Sequence, residues 1–233
     1  KAFSSLDELL ADERIQLVTV ATPNDSHKEI VIKALEAGKN VILEKPFTVK
    51  SAEAEELANL AIKKGLYLFE AVTLLHCPNF YKIRDTLKEL GNIRLIQCNY
   101  SQYSSRYDAF QNGEILPAFD PKKSGGALMD LNLYNLHFVM GLFGKPEKLQ
   151  YYANMERGID TSGELILQYP GFIANCTAAK DCAAPFSFVI EGTDGYITTE
   201  LSPNLIGEVT LHRNDKTEEK YNDGMAFKRL IPE

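Results

Sequence analysis

Three short runs of the chain hold residue types that bind, polarise or move protons. Glu44, Lys45 and Pro46 stand together, a cation followed by a ring that restricts the residue before it to extended backbone. Thr22, Pro23 and Asn24 make a polar turn, with His27 close behind. Asp130, Tyr134 and His137 recur at i, i+4 and i+7, which at about 100° per residue is a single helix face. Acid, phenol and imidazole can each exchange protons, and a carboxylate can orient or polarise a neighbouring donor. Each group also has a structural reading: ordinary turn formers, a surface lysine, or a hydrogen-bond network inside the core.

The elements that must position these groups follow from the apolar pattern. Residues 17–21 (LVTVA) and 41–43 (VIL) are short apolar runs, expected as strands buried on both faces, and residues 67–69 are a third. Between them, His27, Ile30, Val31, Ala34 and Leu35 fall at helical spacing before Gly38, and Ser51 to Lys64 reads as a second helix ended by Gly65. Alternating short strands and helices imply parallel pairing, a partial doubly wound α/β unit. In such sheets ligands bind outside the carboxyl ends of the strands, where both the Thr22 turn and Lys45 fall. Residues 78–90 read as another helix, residues 93–103 as a long strand, and residues 126–143 as a largely buried helix carrying Asp130, Tyr134 and His137. Turns at 169–172 and 193–196 then separate alternating segments, the pattern of an open, mainly antiparallel sheet. The boundary is expected near residues 72–78. It divides a partial Rossmann-like domain, 1–75, from an α+β substrate-binding and dimerisation domain, 76–233.

Composition limits the partners. The chain has 233 residues, 45% hydrophobic and 24% charged, with 15 Gly and 10 Pro, which is globular rather than disordered or fibrous. Lys+Arg 25 against Asp+Glu 32 gives a formal charge of −7, with no basic run to meet nucleic acid or anionic lipid. Cys77, Cys98, Cys176 and Cys182 show no C-x-x-C spacing, so neither a metal site nor a disulfide framework is indicated; buried, reduced thiols in a cytoplasmic protein are the expectation. No stretch approaches the roughly 18 apolar residues of a membrane helix, and the first residues lack the apolar segment of a signal peptide.

Three segments in order, 21–24 (ATPN) with His27, 44–46 (EKP), and 125–130 (GGALMD) followed by Tyr134, resemble the Gfo/Idh/MocA family of NAD(P)-dependent oxidoreductases. The resemblance runs over nearly the whole chain. It implies that Thr22, Pro23 and Asn24 lie along the dinucleotide with His27 nearby, that Glu44 binds cofactor, and that Lys45 lies beside the nicotinamide and substrate. The helix motif is usually Asp-x-x-x-His; Asp130-x-x-x-Tyr134 is similar to the dihydrodiol dehydrogenase branch, where a tyrosine is the acid/base. A phenol near pKa ~10 is a weak base at neutral pH, but an adjacent ammonium favours the phenolate. The implied reaction is hydride transfer between NAD or NADP and the hydroxyl-bearing carbon of a sugar, polyol or dihydrodiol. Tyr134 would exchange the proton, Lys45 hold the oxygen, Asp130 orient substrate or Lys45, and His137 contact substrate.

One departure stands out. The glycine-rich G-x-G-x-x-G loop that opens the family's fold occurs nowhere in the chain. The resemblance therefore implies an incomplete dinucleotide half, short by two strands and their helices, on the order of 60 residues. A non-catalytic binding or regulatory member of the same fold is the rival expectation, disfavoured by the retention of Lys45, Asp130 and Tyr134 together. A Schiff-base role for Lys45 has nothing near it in sequence to support it. The expected partners are a small-molecule substrate and further copies of the chain, as a homodimer or homotetramer through the carboxy-terminal sheet.

Overall fold

In the computed structural model, residues 2–199, 201 and 204–222 are described. They form two compact units that part between Ala71 and Val72, with residues 122–124 belonging to the first. The last eleven residues of the expected second domain, 223–233, lie outside the described residues.

The first unit begins with α1 (Leu6–Ala11), whose start is capped by Ser5 Oγ accepting from Glu8 N at 3.2 Å. Its sheet is parallel, in the order β1 (Leu17–Val20), β2 (Asn40–Leu43), β3 (Leu68–Glu70). Helices α2 (His27–Glu36) and α3 (Ser51–Lys64) connect the strands, α3 ending where Gly65 turns to φ 68°. Val18, Val20, Val41 and Leu43 pack with Val31, Leu35 and Leu57 into one core. The expectation that β1 is buried on both faces fails: Val18 and Val20 are buried, whereas Leu17 is 48% exposed and Thr19 is exposed too. The face carrying Val18 and Val20 meets the α2–α3 core.

The second unit is built on an eight-stranded sheet. Its strands are β4 (Ile93–Ser101), β5 (Lys148–Glu156), β6 (Ile159–Tyr169), β7 (Phe172–Ala179), β8 (Ser187–Gly192), β9 (Gly195–Thr199), β10 (Val209–Arg213) and β11 (Glu218–Tyr221). The order is β11-β10-β9-β8-β4-β7-β6-β5, and every pair is antiparallel except β4 with β7. The hairpins between β6 and β7 and between β8 and β9 turn at 170–171 and 193–194, inside the expected turns. The polar residues 213–222 fall in the β10–β11 hairpin.

Helix α4 (Pro78–Thr86) tightens into a 3-10 turn, Leu87–Leu90, where a single helix over 78–90 was expected. Such tightening is common at a helix carboxyl end, where carbonyls lack partners. Helix α5 (Tyr107–Gln111) is short. The expected helix over 126–143 is also compound: a π-helical turn, Leu128–Asn132, leads into α6 (Leu133–Phe143). Phe138 of α6 meets Phe188 of β8 with ring centroids 4.0 Å apart, inside a core that includes Ile96, Cys98 and Cys176. Cys77, Cys98 and Cys176 are buried, whereas Cys182 is exposed, so the expectation of uniformly buried thiols holds for three of the four. Burial pushes the Cys98 thiol well up, aided by its contact with Cys176. Among the described residues no helix is long and apolar enough to cross a membrane, and no three His, Cys, Asp or Glu cluster as metal ligands do.

Candidate functional site

The candidate groups fall in both units, and each set is held by its own neighbours. In the first unit, β1 and β2 run parallel, so the turns after them leave the same end of the sheet. Glu44 N donates to the Val20 carbonyl at 2.9 Å, carrying the pairing past the strands. Lys45 and Pro46 follow, joined by a cis peptide, and Lys45 N donates to Glu44 Oε2 at 3.2 Å. Phe47 N then donates to Glu70 Oε1 at 2.9 Å, so the last residue of β3 steadies the Glu44–Phe47 loop. Lys45 is half-buried, while Thr22 and Pro23 are exposed.

His27 sits where those two turns meet. Its ring is 1% exposed, with Nε2 2.9 Å from the Thr22 carbonyl and Nδ1 3.0 Å from the Pro46 carbonyl. A carbonyl oxygen only accepts, so the neutral ring can donate to one of them and the doubly protonated ring to both. His27, expected near the cofactor, fastens one turn to the other from within. Asn24 Nδ2 donates to the Ser124 carbonyl at 3.2 Å. Next to it, the 2.6 Å bond from Lys123 Nζ holds the Asp25 carboxyl below its usual range.

In the second unit the site grows from Gly125 and Gly126. A Cβ on Gly125 would lie 2.8 Å from the backbone of Ala118, and Gly126 has φ +103° with the Asp160 carboxylate against it. No side chain fits either position without strain. Asp160 Oδ2 accepts from Leu128 N at 2.7 Å, meeting an open donor at the start of the π turn, and from the Tyr151 hydroxyl at 2.7 Å. Burial, then that bond to Asp160, pushes the Tyr151 phenol well up.

Asp130 lies within the π turn and Tyr134 in α6 just beyond it. A π turn rotates each residue less than an α turn does, so the uniform 100° step that lined up Asp130, Tyr134 and His137 does not apply across it. Tyr134 packs beside Tyr100, ring centroids 5.8 Å apart, and Tyr100 meets Phe186 edge-on at 5.4 Å. His137 is half-buried one turn further along. Asp130 Oδ2 accepts from Lys180 Nζ at 2.8 Å. The expectation paired Asp130 with substrate or Lys45; the partner found inside its own unit is Lys180.

Sequence reasoning passed over Lys180, Asp160 and two asparagines, and met Glu70 only as the end of the third strand. Asn132 and Asn135 are both fully buried. Asn132 Nδ2 donates to the Cys176 carbonyl at 2.8 Å, and Asn135 Nδ2 to the Thr177 carbonyl at 2.9 Å and to Asn132 Oδ1 at 2.9 Å. These bonds dock the helix on β7. Two amides at i and i+3 in a largely apolar helix were the available signal, since buried polar groups need partners. Lys180 carried a weaker one, a lone cation directly after a run of small and apolar residues. Asp160 had none, because its partners, the Leu128 amide and the Tyr151 hydroxyl, are brought to it by the fold.

Comparisons with known proteins match both units. Residues 1–72 match the family described as oxidoreductase family, NAD-binding Rossmann fold, and residues 82–198 match the GFO/IDH/MocA C-terminal domain. The scyllo-inositol 2-dehydrogenase (NADP(+)) IolU of Bacillus subtilis (strain 168) is 37% identical over 234 residues, covering 100% of this chain and 68% of that protein. The trans-1,2-dihydrobenzene-1,2-diol dehydrogenase of Mus musculus is 31% identical over 201 residues, 84% of this chain and 58% of that protein. KijD10, a 3-ketoreductase from Actinomadura kijaniata solved in complex with TDP-benzene and NADP, superposes with a TM-score of 0.75 at 25% identity, over 93% of this chain and 66% of that one. The chain thus spans between 58% and 68% of the length of these three proteins. With both of its units matched in order, and with a relative this similar along its whole length, the chain belongs to the Gfo/Idh/MocA family of oxidoreductases.

Proposed function

We propose that the protein transfers a hydride between a nicotinamide dinucleotide and a hydroxyl-bearing carbon of a polyol, sugar or dihydrodiol. The observation that carries this reading is Lys45: a lysine held on a braced loop at the carboxyl end of a parallel strand, beside the Thr22–Asn24 turn, in a chain of this family. The residues present fit the nicotinamide end of such a cofactor. Thr22 and Pro23 are exposed at the strand end where parallel sheets take ligands, and the loop that bears Lys45 is braced by Glu70. Thr22, Pro23, Asn24, Glu44 and Lys45 would hold the cofactor, with His27 acting through the turns it fastens. No G-x-G-x-x-G run occurs among the 233 residues, so no residue here is assigned to the pyrophosphate. IolU is an NADP(+) dehydrogenase by name and KijD10 was solved with NADP, which makes NADP the first to test.

When bound, the nicotinamide supplies the hydride acceptor or donor. The chain's own residues do the rest. Tyr134 exchanges the substrate's hydroxyl proton, Lys45 holds the oxygen and stabilises its developing charge, and Asp130 orients the hydroxyl-bearing substrate, with His137 as a further contact. Replacing either Lys45 or Tyr134 takes away a group that acts on the reacting oxygen. Lys45→Ala and Tyr134→Phe should each lower turnover of scyllo-inositol by about 10²-fold or more. NADP⁺ should still raise the melting temperature of both variants as it raises that of the parent. Near-parental turnover in both variants overturns these assignments. No thermal shift with NADP⁺ or NAD⁺ in the complete protein, with its dinucleotide half entire, overturns the dehydrogenase reading in favour of a binding protein.

The same reading includes self-association. Leu95, Tyr152, Ile173 and Tyr196 stand 43% to 57% exposed on the sheet face turned away from α6, mixed with polar neighbours. A bare face of that kind is the surface a second copy would cover. Sedimentation should give a mass well above that of one chain.

A further inference from the structure

Lys180 is the least expected charge in the second unit. It follows directly on β7 and is 2% exposed, a place where lysine is rare unless its charge is answered. Its Nζ donates to Asp130 Oδ2 at 2.8 Å and to the Ala118 carbonyl at 2.8 Å, and lies 4.7 Å from the centre of the Phe119 ring. The backbone around it is pinned as well, Lys180 N donating to the Thr161 carbonyl at 2.8 Å and Ser104 N to the Lys180 carbonyl at 2.9 Å. Phe119 in turn belongs to a separate aromatic cluster with Tyr107 and Phe110, stacking on Phe110 at 4.9 Å. The ammonium is therefore held by parts of the chain that come together only in the fold.

Its partner is placed quite differently. The Asp130 side chain is 36% exposed and lines a polar cleft of about 190 Å³ with Gln102, Ser104, Ser105 and Arg106. A buried cation under a half-exposed carboxylate is a poor device for stability. Desolvating the ammonium costs several kcal/mol, and an apolar side chain of the same length would pack against Phe119 without that cost. What the pair does supply is direction. Asp130 belongs to a π turn, and the bond to Lys180 commits one carboxylate oxygen to a fixed point. A carboxylate so anchored accepts from a substrate hydroxyl in one orientation only, which is the condition for efficient transfer.

We propose that Lys180 is a positioning residue for the reaction, acting through Asp130, which it keeps aimed into the cleft lined by Ser104, Ser105 and Arg106. This rests on the proposed role of Asp130 in orienting the substrate. The experiment is a double-mutant cycle in the full chain, with scyllo-inositol and trans-1,2-dihydrobenzene-1,2-diol as substrates and NADP⁺ as cofactor. The variants are Lys180→Met, Asp130→Asn and the two combined. Lys180→Met should lower kcat about tenfold or more while changing the KM for NADP⁺ less than about twofold, and adding it to Asp130→Asn should change kcat less than about twofold further. A structural role alone would lower the melting temperature and leave the kcat of the folded fraction untouched. Lys180→Gln keeps a hydrogen-bond donor without the charge and serves if the methionine variant does not fold; it should fall between parent and Lys180→Met. Parental kcat in the folded Lys180 variants overturns the proposal alone, as does multiplication of the two single effects. Parental kcat in Asp130→Asn overturns the role of Asp130 itself, and this proposal with it.

Discussion

The two candidate regions are held by opposite means. In the first unit the turns are fastened mostly through backbone groups: His27 to two carbonyls, Glu70 to the Phe47 amide, Glu44 N to the Val20 carbonyl. In the second, the π turn and α6 are held by side chains that bond other side chains and the sheet: Asp160 with Tyr151, Asn132 with Asn135, Asp130 with Lys180. A backbone clamp tolerates little, since a carbonyl cannot move aside without its strand. A side-chain network can rearrange, so its loss shows in the aim of the reacting groups before it shows in stability. The comparison teaches where each region should fail.

The sharpest way to break that contrast is at His27. His27→Ala removes a buried ring and leaves the Thr22 and Pro46 carbonyls without their partner, a cost of about 2–4 kcal/mol in urea unfolding. Weaker protection by NADP⁺ should accompany it, because the turns loosen together. A stability loss under about 0.5 kcal/mol would mean that the clamp is idle.

Asn135→Leu tests the other side. Asn135 Oδ1 makes no hydrogen bond among the described residues, so replacing the amide loses two donated bonds and also removes a buried acceptor without a partner. These effects offset, and the stability change should be about 1 kcal/mol or less. Turnover should fall by about threefold to tenfold as α6 loosens on β7, which would be read at saturating substrate. A large stability loss with unchanged turnover would reverse the contrast between the units.

The smallest effect is a pH dependence at Tyr151. Its folded proton is held more tightly than an unfolded one, by burial first and by Asp160 second. A raised folded value means that the phenol's contribution is complete below about pH 10 and is lost as the pH rises through that region. The gap in urea midpoint between the parent and Tyr151→Phe should therefore be present at about pH 8 and shrink by about pH 11. A gap that is constant or grows would place the bond to Asp160 outside the stability of this region.

Much of the fold was legible because it rests on local pattern. The helix from Ser51 to Lys64 has the limits its apolar spacing and Gly65 imply, and the hairpins turn where Pro170-Gly171 and Asp194 fall. Legibility stopped wherever a residue's partner was distant in sequence. The uniform helical step hid the π turn at Leu128–Asn132, which Asp160 caps from β6. One-sided burial of β1 was hidden too, because an apolar run does not say how many faces are covered.

By itself, the sequence determined the residue types available for chemistry, the alternation of strand and helix in the first third, and the family, since motifs and periodicity are local properties of a chain. Only the tertiary structure decided what holds them. It bonded the His27 ring to the carbonyls of two turns, set Lys180 beneath Asp130, and docked α6 on β7 through two asparagines. The physical reason is the same in each case. A buried polar group must find a partner, and which partner it finds depends on backbone brought near by folding rather than by sequence.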